Sequence, residues 1–130
     1  MIFRRLCRHA LQVIAGRDDD TGRDLAAQLG HRALSVHLDV ASEDDWAAVV
    51  REVESRFGPI TILVNNAGVQ NPAVPIEHTE LRTWEHTFSV NVTGQFLGIR
   101  AVAPISMTKK TQRRLRNTVS TCMKSQASSV

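Results

Sequence analysis

Ile60-Thr61-Ile62-Leu63-Val64-Asn65-Asn66-Ala67-Gly68 is a short apolar run that stops at two asparagines and a glycine. A run of this length, rich in β-branched residues, reads as a buried strand. In an open sheet of parallel strands, ligands bind beyond the carboxyl ends, so amides and a glycine placed there mark the edge of a site. Asn65 and Asn66 can satisfy neighbouring backbone groups, and Gly68 lets a ligand approach the main chain.

Working outward from this run, strand and helix patterns alternate. Leu11 to Ala15 reads as a strand ending in the turn Gly16-Arg17-Asp18. A helix follows from about Thr21 to Leu29, with Leu25, Ala26 and Leu29 on one face and Gly30 as its stop. Ala33 to Leu38 is the next strand, ending at Asp39-Val40. Ser42 caps a helix in which Trp46, Val49, Val50, Val53 and Phe57 recur at helical spacing until Gly58-Pro59 ends it. Strand, helix, strand, helix, strand at these lengths implies right-handed crossovers and a parallel sheet, an α/β fold of Rossmann type. Beyond Pro72 and Pro75, one long helix is expected from about Leu81 to Ala103, with Leu81, Trp84, Phe88, Val92, Phe96 and Ile99 on one stripe. Packing of that stripe on the sheet is the simpler reading, and pairing with a partner is the alternative.

Asp39-Val40, the Asn-Asn-Ala-Gly segment at residues 65–68 and Asn91-Val92-Thr93-Gly94 together resemble the short-chain dehydrogenase/reductase family, the SDRs, over roughly residues 10–104. The resemblance implies a doubly wound parallel sheet, here partial, and a lineage that transfers hydride between NAD(P) and an alcohol or carbonyl. It makes Asp39 and Val40 the pair beside the adenine ring. Asn65, Ala67 and Gly68 become the cofactor-side turn, and Asn91 the asparagine of the catalytic tetrad. Aligned through Gly22-Arg23, the position that selects the cofactor falls on Gly16, followed by Arg17. A guanidinium suits a 2′-phosphate, so NADP is favoured over NAD. Asn117-Thr118-Val119-Ser120-Thr121 resembles the family strand that ends Asn-x-Ser-Ser, making Ser120 the candidate catalytic serine.

Two family motifs have no counterpart. Nothing upstream of residue 10 matches the Gly-rich turn Thr-Gly-x-x-x-Gly-x-Gly, and the chain has no tyrosine, hence no Tyr-x-x-x-Lys. Lys109 and Lys110 precede Ser120 and cannot replace that lysine by sequence order. The expectation is a chain that is inactive as a dehydrogenase alone. The alternative is a non-catalytic protein that pairs with a full-length SDR through helix 81–103.

The 130 residues carry a net charge of +3, but every acid lies between Asp18 and Glu85. Thr108 to Val130 holds only bases, which divides the chain into an incomplete NAD(P)-binding domain, 1–104, and a basic, Ser/Thr-rich tail, 105–130. The tail has no aromatic residue for base stacking, so a specific nucleic-acid partner is not expected. No apolar stretch is long enough to span a bilayer. The Arg-containing, acid-free first 17 residues read better as a helix end running into a strand than as an organelle presequence. Cys7 and Cys122 define no disulfide framework, and a cytoplasmic setting is the simplest. Five histidines show no paired ligand spacing, so no metal site is expected.

In the SDR sheet the first strand lies between the strand at 11–15 and that at 60–64. Its absence leads to the expectation of an empty slot at the centre of the sheet, exposed strand edges and marginal stability.

Overall fold

The computed structural model describes residues 11–71, 73–106 and 121–125. In chain order these form β1 (Leu11–Gly16), α1 (Asp19–Leu29), β2 (Ala33–His37), α2 (Glu43–Phe57), β3 (Ile60–Val64), a 3₁₀ turn (Ile76–His78), α3 (Leu81–Phe88), a π-helical segment (Ser89–Thr93), α4 (Gly94–Ser106) and β4 (Thr121–Ser125). The four strands form one parallel sheet in the order β2-β1-β4-β3. The chain leaves β1 in one direction across the sheet and leaves β2 in the other. Right-handed crossovers therefore put α1 and α2 on opposite faces, and the expected α/β doubly wound architecture is present.

Local chemistry explains the element boundaries. Asp18 accepts a hydrogen bond from the Thr21 N–H (3.0 Å), so α1 starts at Asp19, two residues before the expected Thr21. Ser42 caps α2 as expected, accepting from the Asp45 N–H (3.2 Å). Gly30 and Gly58, at φ 85° and 83°, close α1 and α2 in a conformation that a side chain would disfavour. Inside the sheet, Val13, Ala15, Val36, Leu38 and Ile60 pack with Trp46, Val49, Val50 and Val53 of α2 and with Val90, Leu97 and Val102. Each fully buried aliphatic side chain of this kind is worth about 1.5–3 kcal/mol relative to exposure.

Two expectations are corrected. The centre of the sheet is not empty, because β4 lies there and pairs with β1 on one side and β3 on the other. Part of the basic tail is therefore a central strand. The expected helix over 81–103 is present as one helical run from Leu81 to Ser106, with a π turn at Ser89–Thr93 between α3 and α4. Its stripe, however, faces outward: Leu81 is 69% exposed, Phe96 57% and Ile99 57%. The inner face is instead Val90, Gly94, Leu97, Gly98 and Val102. A β-carbon on Gly98 would stand 2.8 Å from the Trp46 ring, and one on Gly94 would stand 2.8 Å from Val40. The side of the helix without side chains is the one that can approach the core.

Ser120 and Asn117 to Thr118 lie outside the described residues, as does Cys7. Among the described residues no helix is long and apolar enough to cross a membrane. Also among these residues, no group of three His, Cys, Asp or Glu side chains could hold a metal ion.

Candidate functional site

The carboxyl ends of β1, β2 and β3 bring Arg17, Asp39-Val40 and Asn65-Ala67-Gly68 to one edge of the sheet. A narrow crevice, too tight to admit a water molecule, is lined there by Val40, Asn65, Ala67, Val90, Gly94 and Gln95. Val40, Asn65 and Ala67, three of the residues expected from the sequence, thus line one crevice with Gly94 and Gln95 at the start of α4.

The segment at Asp39-Val40 is held from three directions. The Asp39 carboxylate Oδ1 accepts from the Ala41 N–H (2.9 Å), and the Asp39 N–H donates to Oδ2 of Asp45 (2.9 Å). Trp46, only 1% exposed, donates from Nε1 to the Val40 carbonyl (2.9 Å). A buried indole N–H needs such an acceptor, and here it fixes the turn that carries Val40. The Asp39 N–H and the Ser42 hydroxyl hold the Asp45 carboxyl below the usual carboxylate range. Stabilised as an anion, Asp45 braces both the turn and the first turn of α2.

Asn65, at the end of β3, donates from Nδ2 to the Gln95 carbonyl of α4 (3.3 Å). A β-carbon on Gly98 would also come within 3.0 Å of Asn65 Oδ1, so both Gly94 and Gly98 are needed for α4 to reach the sheet edge. Asn91 sits within the π segment and closes a two-point clamp on the loop after β3. Its Oδ1 accepts from the Val69 N–H (2.7 Å), and its Nδ2 donates to the Val69 carbonyl (2.9 Å). One side chain thereby satisfies both backbone groups of Val69, immediately beyond Gly68. A π turn re-aims residues without breaking the helix, and such turns concentrate at functional sites. The Gly94 N–H donates to the Ser89 carbonyl across the wider turn.

Arg17 stands apart from this network. It is exposed beyond β1, and among the described residues it makes no ion pair. Its acidic neighbours are otherwise engaged. Asp18 binds Thr21, which keeps its carboxyl below the ordinary range. Asp19 lies 2.9 Å from His37 Nδ1, and Asp20 pairs with Arg23.

Trp46, Val69, Gly94 and Gln95 were not identified from the sequence as site residues. Gly94 and Gly98, one turn apart in a helix, were the available signal for close approach.

Residues 2–129 match the family model of the short chain dehydrogenases. The chain belongs to the short-chain dehydrogenase/reductase family. It is 45% identical over 84 residues to a 3-alpha-(or 20-beta)-hydroxysteroid dehydrogenase of Mycobacterium tuberculosis, covering 65% of this chain and 32% of that protein. Over 101 residues it is 37% identical to a trans-4-hydroxycyclohexanecarboxylate dehydrogenase of Sinomonas cyclohexanicum, covering 71% and 39%. A 3-ketoacyl-(acyl-carrier-protein) reductase from Brucella melitensis, solved in complex with NADH, superposes with a TM-score of 0.70 at 35% identity, over 72% of this chain and 38% of that one. This SDR chain therefore spans between about a third and two fifths of the length of these relatives.

At the carboxyl edge of the sheet, the Asp39-Val40 turn and Asn65 are fixed by hydrogen bonds beside a narrow crevice that Ala67 also lines. For the pyrophosphate of a dinucleotide, a Gly-rich turn after the central strand would be required. The central strand here is β4, and residues 126–130, which follow it, read Gln-Ala-Ser-Ser-Val without a glycine.

Proposed function

We propose that this chain carries the adenine-binding part of an SDR nicotinamide-cofactor site, in a lineage that moves hydride between NAD(P) and an alcohol or carbonyl. The observation that carries this reading is the braced Asp39-Val40 turn, whose Val40 lines one crevice at the carboxyl edge of the sheet with Asn65 and Ala67. Asp39 would accept from the exocyclic amine of adenine, while Val40 and Ala67 would offer apolar contact to the ring. Asn91 would act by holding the Val69 backbone, and so the loop behind Gly68, in place.

Arg17 supports a preference for NADP. It is unpaired among the described residues, and each of its three acidic neighbours has a partner of its own, so a 2′-phosphate would meet a guanidinium with less opposing charge. Ser120 remains the proposed serine by sequence alone. The chain supplies no tyrosine to act as the general acid/base, so hydride transfer is not expected from these residues by themselves. The outward stripe of α3 and α4 supports association with a second copy or another SDR, and the sparse cysteines suit a cytoplasmic setting.

Calorimetric titration with 5′-AMP and with 2′,5′-ADP tests the reading. Both should bind weakly, with 2′,5′-ADP tighter by roughly tenfold, the scale of one charge-assisted contact. Arg17→Ala should remove that preference and leave 5′-AMP binding unchanged. Absence of any adenine-dependent heat would overturn the site, and equal affinities would overturn the NADP assignment. NADPH oxidation by the purified chain with carbonyl substrates would contradict the expectation of inactivity.

A further inference from the structure

Arg17 is followed at once by Asp18, Asp19 and Asp20. A carboxylate beside a guanidinium pairs with it and repels any phosphate brought there, so the partners of these acids decide what Arg17 can bind. Two of the three are engaged within α1 and its cap. Asp18 accepts from the N–H and the hydroxyl of Thr21, and Asp20 pairs with Arg23. Both partners are three residues on, so these bonds form whenever the helix does. Asp19 differs, because its partner comes from another element. Its Oδ1 lies 2.9 Å from Nδ1 of His37, 18 residues away at the end of β2. A carboxylate can only accept, so Nδ1 is the donor. The sheet brings the two together. Gly16, which precedes Arg17, is the register partner of His37, and the Gly16 carbonyl accepts from the Leu38 N–H (2.9 Å). Val36 and Leu38 are buried, and alternation along the strand turns His37 the other way, to the start of α1.

Without His37, Asp19 has Arg17 within reach. The α-carbons of residues two apart are separated by at most about 7 Å, and this chain forms an ion pair at that spacing at the start of α3, between Arg82 and Glu80. Arg17 and Asp19 have the same spacing at the start of α1, yet Asp19 binds His37 instead. The other carboxylate close to His37, that of Asp45 in α2, has both oxygens engaged, by the Asp39 N–H and the Ser42 hydroxyl. We infer that His37 is a specificity-determining residue for a cofactor bearing a 2′-phosphate, because it holds the Asp19 carboxylate against the end of β2 and keeps Arg17 open to the phosphomonoester. It acts through Asp19 and is a positioning residue. The inference rests on the reading of Arg17 as the 2′-phosphate contact and deepens it: the guanidinium attracts the phosphate, and His37 removes its nearest competitor.

The test compares, by calorimetric titration of the full chain and its variants at about pH 8, where a phosphomonoester is a dianion, the affinity for 2′,5′-ADP with that for 5′-AMP. His37→Ala should lower the ratio of the two by roughly threefold, the scale of one exposed charge contact. Adding Asp19→Asn to that variant should restore the parent's ratio, since the released acid is then gone. Asp19→Asn alone should leave the ratio at or above the parent's. A merely structural role for His37 would weaken both nucleotides together and leave the ratio where it was, which overturns the inference. It is overturned equally by a ratio that Asp19→Asn fails to restore, or by one that falls in Asp19→Asn alone. A parent that prefers 2′,5′-ADP and a His37→Ala variant that keeps the full preference would sink this inference and leave the Arg17 reading standing. A parent that binds the two nucleotides equally would sink the Arg17 reading, and this inference with it.

Discussion

β3 and β4 are neighbours in one sheet and of equal extent, yet only β3 has the sequence of a central strand. Ile60 is fully buried and β3 ends in Asn65, which ties it to α4. β4 has backbone partners on both sides but a sequence suited to solvent. Hydrogen bonding alone can therefore place a strand, whereas burial determines how strongly it is held, since the net gain from a backbone hydrogen bond is small beside that from an apolar side chain. The two strands should differ in stability even though they share a ladder.

The largest effect should come from the well-matched side. Ile60→Ala opens a cavity against the Trp46 and Val53 cluster and should cost about 2–5 kcal/mol, measured by urea denaturation. A loss below 1 kcal/mol would mean that β3 is held no better than β4 and would erase the contrast. Next, Asn91→Ala strands both backbone groups of Val69 and should cost about 1–3 kcal/mol. Faster amide exchange at Val69, with β1 and β2 unaffected, would locate the loss at the loop beyond β3. Uniform acceleration would instead make Asn91 part of the general core.

The same contrast explains what the sequence disclosed. β3 and α2 were legible because their signals are local: an apolar run closed by Asn65-Asn66, and a helix opened by Ser42 and stopped by Gly58. Asp39, Asn65 and Asn91 were singled out by resemblance to family motifs, and they lie after β2, after β3 and in the π turn that clamps the loop beyond β3. β4 was not, because nothing in Thr-Cys-Met-Lys-Ser asks to be buried, and its place is set by two neighbours that need a partner. The helical stripe was seen but assigned to the wrong side by its simpler reading. Periodicity marks Trp84, Phe88 and Phe96 as one face, but the opposite face contains Gly94 and Gly98, and only that face can approach Val40 and Trp46. The π turn was hidden for a similar reason, since it accompanies a tertiary clamp between Asn91 and Val69.

Smaller effects sharpen the picture at the β2 edge. Ser42→Ala removes the cap of α2 and should cost about 1 kcal/mol in the same denaturation experiment. Asp45 makes the last comparison, through pH. Its folded carboxyl titrates below the usual value because the Asp39 N–H and Ser42 hydroxyl bind the anion, while the unfolded chain lacks both bonds. The unfolded state therefore takes up this proton first as pH falls. The stabilisation linked to Asp45 is complete above about pH 5 and is lost as pH drops through the unfolded value near 4 toward the lower folded one. Asp45→Asn should flatten that part of the stability profile between about pH 5 and 3. Adenine-nucleotide affinity of the parent should weaken over the same range, because the bond from the Asp39 N–H that fixes the turn depends on the Asp45 anion. An unaltered slope in Asp45→Asn would show that the carboxylate contributes nothing to holding the turn, and would leave the Trp46 bond to Val40 as its principal restraint.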